Sequence, residues 1–120
     1  LINIFNDNEF YLIKVYKKSK NKSNLIVGFL IAKLYENKRV HIMSIAIDKN
    51  YRRRNLGTKL INYLKNNINH NKISLYVLVN NFPAIKLYEK NNFYNIKKIE
   101  NYYETLEVKD AYYYEYINQN

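Results

Sequence analysis

YRRRNLGTKLINYLK, residues 51–65, decides how this sequence is read. Arg52, Arg53 and Arg54 lead into a short turn, Asn55-Leu56-Gly57-Thr58, and an amphipathic helix follows. Leu60, Ile61, Tyr63 and Leu64 recur at helical spacing on one side, and Lys59, Asn62 and Lys65 fall where the helix is expected to face water. Upstream, VHIMSIAI (40–47) is an apolar run that reads as a buried strand. Strand, small-residue turn and helix together aim free main-chain N–H groups at one point. The first turn of a helix has unpaired donors and a partial positive charge, so a phosphate there is held mostly by backbone. The plain alternative is a basic turn before an ordinary helix. A Walker-type loop is excluded, because no Gly-Lys-Ser/Thr follows a glycine at the required spacing.

Composition sets the class. At 120 residues the chain is one domain, able to bury a core, and with 48% hydrophobic residues it is not a disordered segment. A formal net charge of +10 and a pI of 9.6 favour anionic partners: a nucleotide-like cofactor, an acidic peptide or ribosomal RNA. Heavy use of Asn, Lys, Ile and Tyr is equally what a biased genome would produce. With no cysteine, disulfides, thiolate metal sites and a thiol nucleophile are excluded, and two histidines alone give no zinc set. No apolar run reaches the roughly 18 residues of a membrane helix, and no signal peptide is visible. A cytoplasmic location fits, with the nucleus as a second. The start at Leu1 without Met fits a fragment or trimmed chain.

Taken in order, residues 1–5 show no regular period, and Asn6 and Asp7 predict the cap of a short helix to about Phe10. YLIKVY (11–16) reads as a strand and the polar, basic stretch 17–24 as a hairpin turn. LIVGFLIAKLY (25–35) reads as a central antiparallel strand, in which Gly28 marks a bulge or a close backbone approach. After the arginine turn and its helix, 66–72 is a polar connector in which His70 is expected to be exposed. ISLYVLV (73–79) is a strand parallel to 40–47 if the helix is a right-handed crossover. Pro83 opens a second helix to about Lys90, with Ala84, Ile85, Leu87 and Tyr88 inward, and Asn91-Asn92 stops it. Residues 93–99 and 111–117 are strands around the polar loop 101–110.

The motifs now carry a family resemblance. Arg52-x-x-Asn55-x-Gly57 resembles the pyrophosphate-binding signature of the GNAT acetyltransferases, Arg/Gln-x-x-Gly-x-Gly/Ala, with Asn55 in place of the first glycine. Asparagine is the non-glycine residue that best accepts a positive φ. NNFPAIKLYEKNNF (80–93) resembles the family's Asn-x-x-Ala-x-x-x-Tyr-x-x-x-Gly-Phe segment, with Asn92 at the glycine. YRRRNLGTKL (51–60) and NYYETLEVKDAYYYE (101–115) resemble the NatE-type catalytic subunit of N-terminal acetyltransferases. The resemblance covers nearly the whole chain, with the fold's usual first strand and first helix missing before residue 1. It implies an α/β (α+β) GNAT fold: a mixed, mostly antiparallel sheet with splayed parallel central strands flanked by helices, in a single domain over 1–120.

The resemblance implies acetyl-CoA as cosubstrate. Arg52, Arg53, Arg54, Asn55, Leu56, Gly57 and Thr58 would hold its pyrophosphate. Ile45, Ala46 and Ile47 would pair with its pantetheine arm, and Asn81 and Tyr88 would touch it further along. It implies direct transfer of the acetyl group to a polypeptide α-amine, Met-starting by preference, with base catalysis through water. The family's Tyr on the fourth strand and His on the fifth look exchanged here, giving His41 as base and Tyr76 orienting the water, with Tyr88 protonating the leaving thiolate. Phe5 in the first loop, Met43, Tyr102 and Tyr103 would flank the substrate N-terminus. The first loop departs from the subfamily's Phe-Pro-Val pattern and reads Leu-Ile-Asn. A lone His in an apolar strand is otherwise a core residue, and Tyr88 on a helix inner face is otherwise packing. An auxiliary acetyltransferase subunit and the ribosome are the implied partners. Two other readings stay open: a Lys side-chain acetyltransferase on the same fold, and a degenerate, non-catalytic module that docks on a ribosome or acetyltransferase complex. For that module, Arg52–Arg54 and Lys17–Lys22 would serve as RNA-binding charge.

Overall fold

The computed structural model describes residues 2–18 and 24–118. Among them, seven strands form one mixed sheet and two α-helices cover one of its faces. In chain order these are β1 (Ile2–Asp7), β2 (Phe10–Lys18), β3 (Asn24–Tyr35), β4 (Arg39–Ile47), α1 (Leu56–Asn67), β5 (Lys72–Leu78), α2 (Phe82–Lys90), β6 (Tyr94–Ile99) and β7 (Ala111–Ile117). The spatial order is β1-β2-β3-β4-β5-β7-β6. The first four strands are an antiparallel meander, β4 and β5 are parallel, and β7 runs antiparallel to both its neighbours.

The core lies between the helices and one sheet face. Ile13 and Val15 of β2, Val27 and Leu30 of β3, Val40 and Ile42 of β4, and Ile73, Leu75 and Val77 of β5 are buried with Leu60, Ile61 and Leu64 of α1. Alternation along each strand sends the intervening side chains, His41, Ser74 and Tyr76 among them, to the opposite face.

Several local expectations are corrected. No helix forms after Asn6: Asp7 pairs with Phe10, and Asn8, at φ 53°, turns a tight hairpin. Pairing β1 with β2 lets Ile2 and Ile4 pack on the core, which a single exposed helical turn would not. Within 40–47 only Val40 and Ile42 are buried, because the other face of β4 carries no helix. Lys65 is half-buried: its Nζ donates to the Asn91 carbonyl at 2.7 Å and lies 3.8 Å from the Tyr116 ring centroid, so the end of α1 is held where water was expected. His70 is buried, not exposed, since the chain leaving α1 tucks under Tyr116 before β5. Of the stretch 17–24, Lys17, Lys18 and Asn24 belong to strand ends, while 19–23 lie outside the described residues, as does Leu1.

Asparagines set the boundaries of both helices. Asn55 caps α1 in the left-handed conformation at φ 58°. Asn81 caps α2, its Oδ1 accepting from the Ala84 N–H at 3.3 Å. Asn92, at φ 70°, ends α2. There the Phe93 N–H reaches the Tyr88 carbonyl and the Asn92 N–H reaches that of Glu89, the pair of bonds that closes a helix at a left-handed residue.

Gly28 meets both of its sequence expectations. A bulge opposite Val15/Tyr16 sits beside it, and a Cβ there would lie 2.7 Å from Ile47 Cδ1, 2.9 Å from Val15 Cγ1 and 3.2 Å from the Ala46 carbonyl oxygen. Gly28→Val should therefore destabilise the fold by about 1–3 kcal/mol, the usual cost of forcing volume into a packed site. A urea unfolding midpoint equal to that of the parent chain would contradict this packing. Asn55→Val, which places a β-branched residue at positive φ, should cost about 1–2 kcal/mol, while Asn55→Gly should be neutral or stabilising. Equal losses for the two variants in the same experiment would show that the left-handed cap is not what Asn55 contributes.

Candidate active site

The site begins where β4 and β5 stop pairing. Only Arg39↔Lys72, Val40↔Ile73 and His41↔Ser74 are in register, although both strands continue, β4 to Ile47 and β5 to Leu78. A local cause lies on the other edge of β4. Against β3, Ile31 pairs with Ser44 but Ala32 pairs with Ile42, so Met43 is an extra residue. A bulge bends its strand, and here the bend accompanies the departure of β4 from β5. The gap is a cleft of about 190 Å³, with Met43 and Ile45 on one wall, Tyr76 and Leu78 on the other, and Asn81 and Tyr88 from α2 at its far end.

Residues 48–55 carry the chain from the end of β4 to the start of α1, with a single 3-10 turn at Lys49–Tyr51. Arg53 at φ 66° and Asn55 at φ 58° bracket Arg54 in an irregular turn. The Asn55 side chain makes no capping bond, and no acidic residue occupies the first turn of α1. Main-chain donors there are thus left for an anion. The arginine side chains are exposed; Arg52 Nε donates to the Ile47 carbonyl at 3.3 Å, and the Arg54 guanidinium lies over the Tyr51 ring. Gly57 has a packing role: a Cβ would lie 2.9 Å from Leu87 Cδ2, so its absence lets α2 close on α1. Thr58 Oγ1 accepts from Asn91 Nδ2, and Asn55 Oδ1 from Lys90 Nζ, which join the same two helices.

Where the strands part stand His41 and Tyr76, their ring centroids 5.2 Å apart. His41 Nδ1 lies 2.7 Å from Ser74 Oγ. Burial holds the imidazole pKa below its usual value near 6.5, so His41 is neutral at neutral pH. Tyr76 stacks on Tyr102 at 4.5 Å, and Tyr103 meets Tyr102 edge-on at 4.7 Å. Tyr88 is buried, and burial together with the neighbouring Tyr103 pushes its phenol up to about 12. It is therefore a hydrogen-bond donor at any physiological pH.

The structure brings together most of the residues singled out from the sequence. His41, Met43, Tyr76, Tyr88, Tyr102 and Tyr103 gather around the cleft, which Ile45 and Asn81 also line, and Ala46 and Ile47 carry β4 on to the arginine turn. Phe5 is the exception. It lies in strand β1, not a loop, on the row Phe5↔Leu12↔Ile31↔Ser44, three strands from β4 and so about 14 Å across the sheet. Its ring sits under Lys14 Nζ and takes no part in the cleft. Ser74 was missed. Its position two residues before Tyr76 puts it on the same strand face, but only the parallel register reveals that it touches His41.

The family model for acetyltransferases of the GNAT family matches residues 2–93. An N-alpha-acetyltransferase of Saccharolobus solfataricus is 36% identical over 104 residues, which cover 74% of this chain and 61% of that protein. The N-alpha-acetyltransferase 50 of zebrafish (Danio rerio) is 35% identical over 79 residues, covering 62% of this chain and 47% of that protein. The chain thus spans less than two thirds of the length of these relatives. Among solved structures, Arabidopsis thaliana Naa50 in complex with the bisubstrate analogue CoA-Ac-MVNAL aligns with a TM-score of 0.75 at 28% identity, covering 91% of this chain and 72% of that one. Together with the seven-stranded order, the parted parallel strands and the arginine turn, these matches show that the chain belongs to the GNAT acetyltransferase family.

Proposed function

We propose that this chain is a single N-terminal acetyltransferase domain over residues 1–120. It would move the acetyl group of acetyl-CoA to the α-amine of polypeptides, with Met-starting N-termini preferred. One observation carries the reading: β4 and β5 part at a neutral histidine faced by a tyrosine, and β4 leads on to a helix start with no side-chain capping bond and no acidic residue. The relatives named N-alpha-acetyltransferase support the reaction class. The solved relative bound to an analogue beginning with Met supports the substrate class.

In this reading the pyrophosphate rests on the amides of Arg53 to Thr58, with Arg52, Arg53 and Arg54 supplying charge. The pantetheine arm extends β4 at Ile45, Ala46 and Ile47 by main-chain pairing. The acetyl group then lies near Asn81 and Tyr88. Met43, Tyr102 and Tyr103 flank the incoming peptide. His41 takes a proton from the α-amine, through a water that Tyr76 orients. The amine nitrogen attacks the thioester carbonyl, the C–N bond forms and the C–S bond breaks. Tyr88 donates a hydrogen bond to the developing thiolate. Its raised pKa, far above the about 8.5 of an ordinary thiol, suits stabilisation of that anion better than full proton transfer, and solvent supplies the proton that ends on sulfur. The protein would work in the cytoplasm, with the ribosome and an auxiliary subunit as partners.

Thiol release from acetyl-CoA with a Met-Xaa peptide is the direct test, beside the same peptide with a blocked N-terminus and an internal-Lys peptide. Turnover is expected only with the free N-terminus, with His41→Phe lowering kcat by about 10²-fold or more, as removal of a general base does. Turnover on the blocked Lys peptide would move the reading to a Lys acetyltransferase. No turnover and no thermal stabilisation by acetyl-CoA would discard the enzyme reading for a binding module. The pH profile provides a separate check. His41 has a depressed pKa in the fold, so its basic form persists below pH 6.5 and is lost only as pH falls through the lower folded value. Once the titration of the peptide's own α-amine, at about 8, is divided out, the acid limb of kcat/KM should have its midpoint below 6.5; a corrected midpoint above it would exclude His41 as the base.

A further inference from the structure

Two helices cover one face of the sheet, and the opposite face of β1–β4 lies open, with Phe5 and Met43 each 55% exposed. A largely apolar row crosses this open face. Ser44↔Ile31↔Leu12↔Phe5 stand side by side on β4, β3, β2 and β1, each beside a neighbour in its own strand that packs on the core. Met43 and Ser44 line the cleft, so the row begins at its mouth. A lysine borders the row on each side. Lys33 belongs to the row Phe10↔Lys33↔His41, and Lys14 to the row Lys14↔Phe29↔Ala46. Lys33 Nζ lies 4.9 Å from the Tyr35 ring centroid, and Lys14 Nζ 4.7 Å from that of Phe5. Neither lysine has an ion-pair partner among the described residues, and Asp7, at the end of β1, is the one acidic residue in β1–β4.

The far side of the cleft is walled by aromatic rings. Tyr102 stacks on Tyr76 at 4.5 Å, and Tyr103 lines the cleft with Tyr76. A polypeptide whose amine reaches His41 is thereby turned away from β5 and leaves across β4. We infer that the row from Ser44 to Phe5 is the track of the substrate polypeptide behind its reacting end, and that Lys33 and Lys14 select acidic residues there. The inference rests on the N-terminal acetyltransferase reading and adds a substrate class to it. At roughly 3.3 Å per residue, the width from β4 to β1 spans about four residues. Apolar side chains of the peptide lie on Ile31 and Leu12, and carboxylates beside them meet Lys33 first and Lys14 further on. An ammonium group held over an aromatic ring is already positioned and carries no competing carboxylate, so an acidic peptide gains there and a basic one is repelled.

A net charge of +10 draws any acidic peptide, so the test must localise the effect. Thiol release is measured with two free-N-terminus peptides that share Met-Val and carry either Asp and Glu or Lys at the third to fifth residues. In low salt kcat/KM should be roughly tenfold higher for the acidic peptide, and the advantage should fade in about 1 M salt. Lys33→Glu and Lys14→Glu should each narrow the gap and together reverse it, with KM for acetyl-CoA unchanged. Lys86→Glu makes the same charge change on the exposed side of α2 and should leave the preference in place. The ratio of two peptides in one preparation does not depend on how much of a variant is folded. Equal kcat/KM for the two peptides in the parent chain, or a preference that Lys86→Glu weakens as much as Lys33→Glu does, would overturn the track. So would a preference that the double variant leaves intact, which gives the open face to another occupant, a second copy or further chain. If neither peptide turns over, the acetyltransferase reading falls. Fluorescence anisotropy of the acidic peptide, labelled at its C-terminus, then decides the surface separately: binding lost in the double variant and kept in Lys86→Glu upholds it, and no binding overturns it.

Discussion

Parting β4 from β5 after three residue pairs leaves main-chain N–H and C=O groups unpaired in the middle of a sheet. Such groups are costly wherever water is excluded, and nearly every buried one finds a partner. The sheet bears this cost at one place. Outside the cleft β4 is paired to β3 throughout, with Met43 taken up in a bulge, and β5 is paired along its whole length to β7. Each strand is therefore held on its far side and open on its near side. An extended, amide-bearing molecule of about strand width would complete the ladder, as a compact ligand would not.

The rest of the site follows from that opening. The end of β4 leads through residues 48–55 to the start of α1, so one stretch of chain carries the open ladder on to the exposed helix amides. Its electrostatics are uneven. The arginine turn and the helix start are positive, while the narrow end is lined by phenols and one neutral imidazole. A charged phosphate is favoured at one end and an uncharged acyl group and amine at the other.

Asparagine and glycine divide labour in an unusual way. Among the described residues no glycine has a positive φ, whereas Asn8, Asn37, Asn55, Asn92 and Asn101 all do. The left-handed turns that glycine commonly makes are made mostly by asparagine, with Lys38 and Arg53 the other two. The two glycines are kept for space: Gly28 lets Val15 and Ile47 meet across three strands, and Gly57 lets Leu87 reach α1. A motif written with glycine in its first position is thus satisfied here by a residue that accepts the same φ.

Much of this was present in the sequence. Two-residue alternation places His41 and Tyr76 each on the face opposite a buried neighbour, and the spacing of Leu60, Ile61 and Leu64 fixes the inner face of α1. Cap chemistry at Asn55, Asn81 and Asn92 marks the helix ends, because it depends on a residue's own backbone and its near neighbours. Contacts between distant segments lay beyond such reading. Phe5 is an aromatic near the chain start, and only the β1–β2–β3–β4 register shows that it stands three strands from the cleft. His70 and Lys65 are polar by composition and become buried or half-buried because the end of α1 meets Tyr116 on β7. The partnership of His41 with Ser74 joins residues 33 positions apart through a parallel register. By itself the sequence determined the elements, their inner faces and the chemistry available at each position. Tertiary structure alone decided which of those chemistries meet, because strand register and the bend at a bulge are set by packing across the whole sheet.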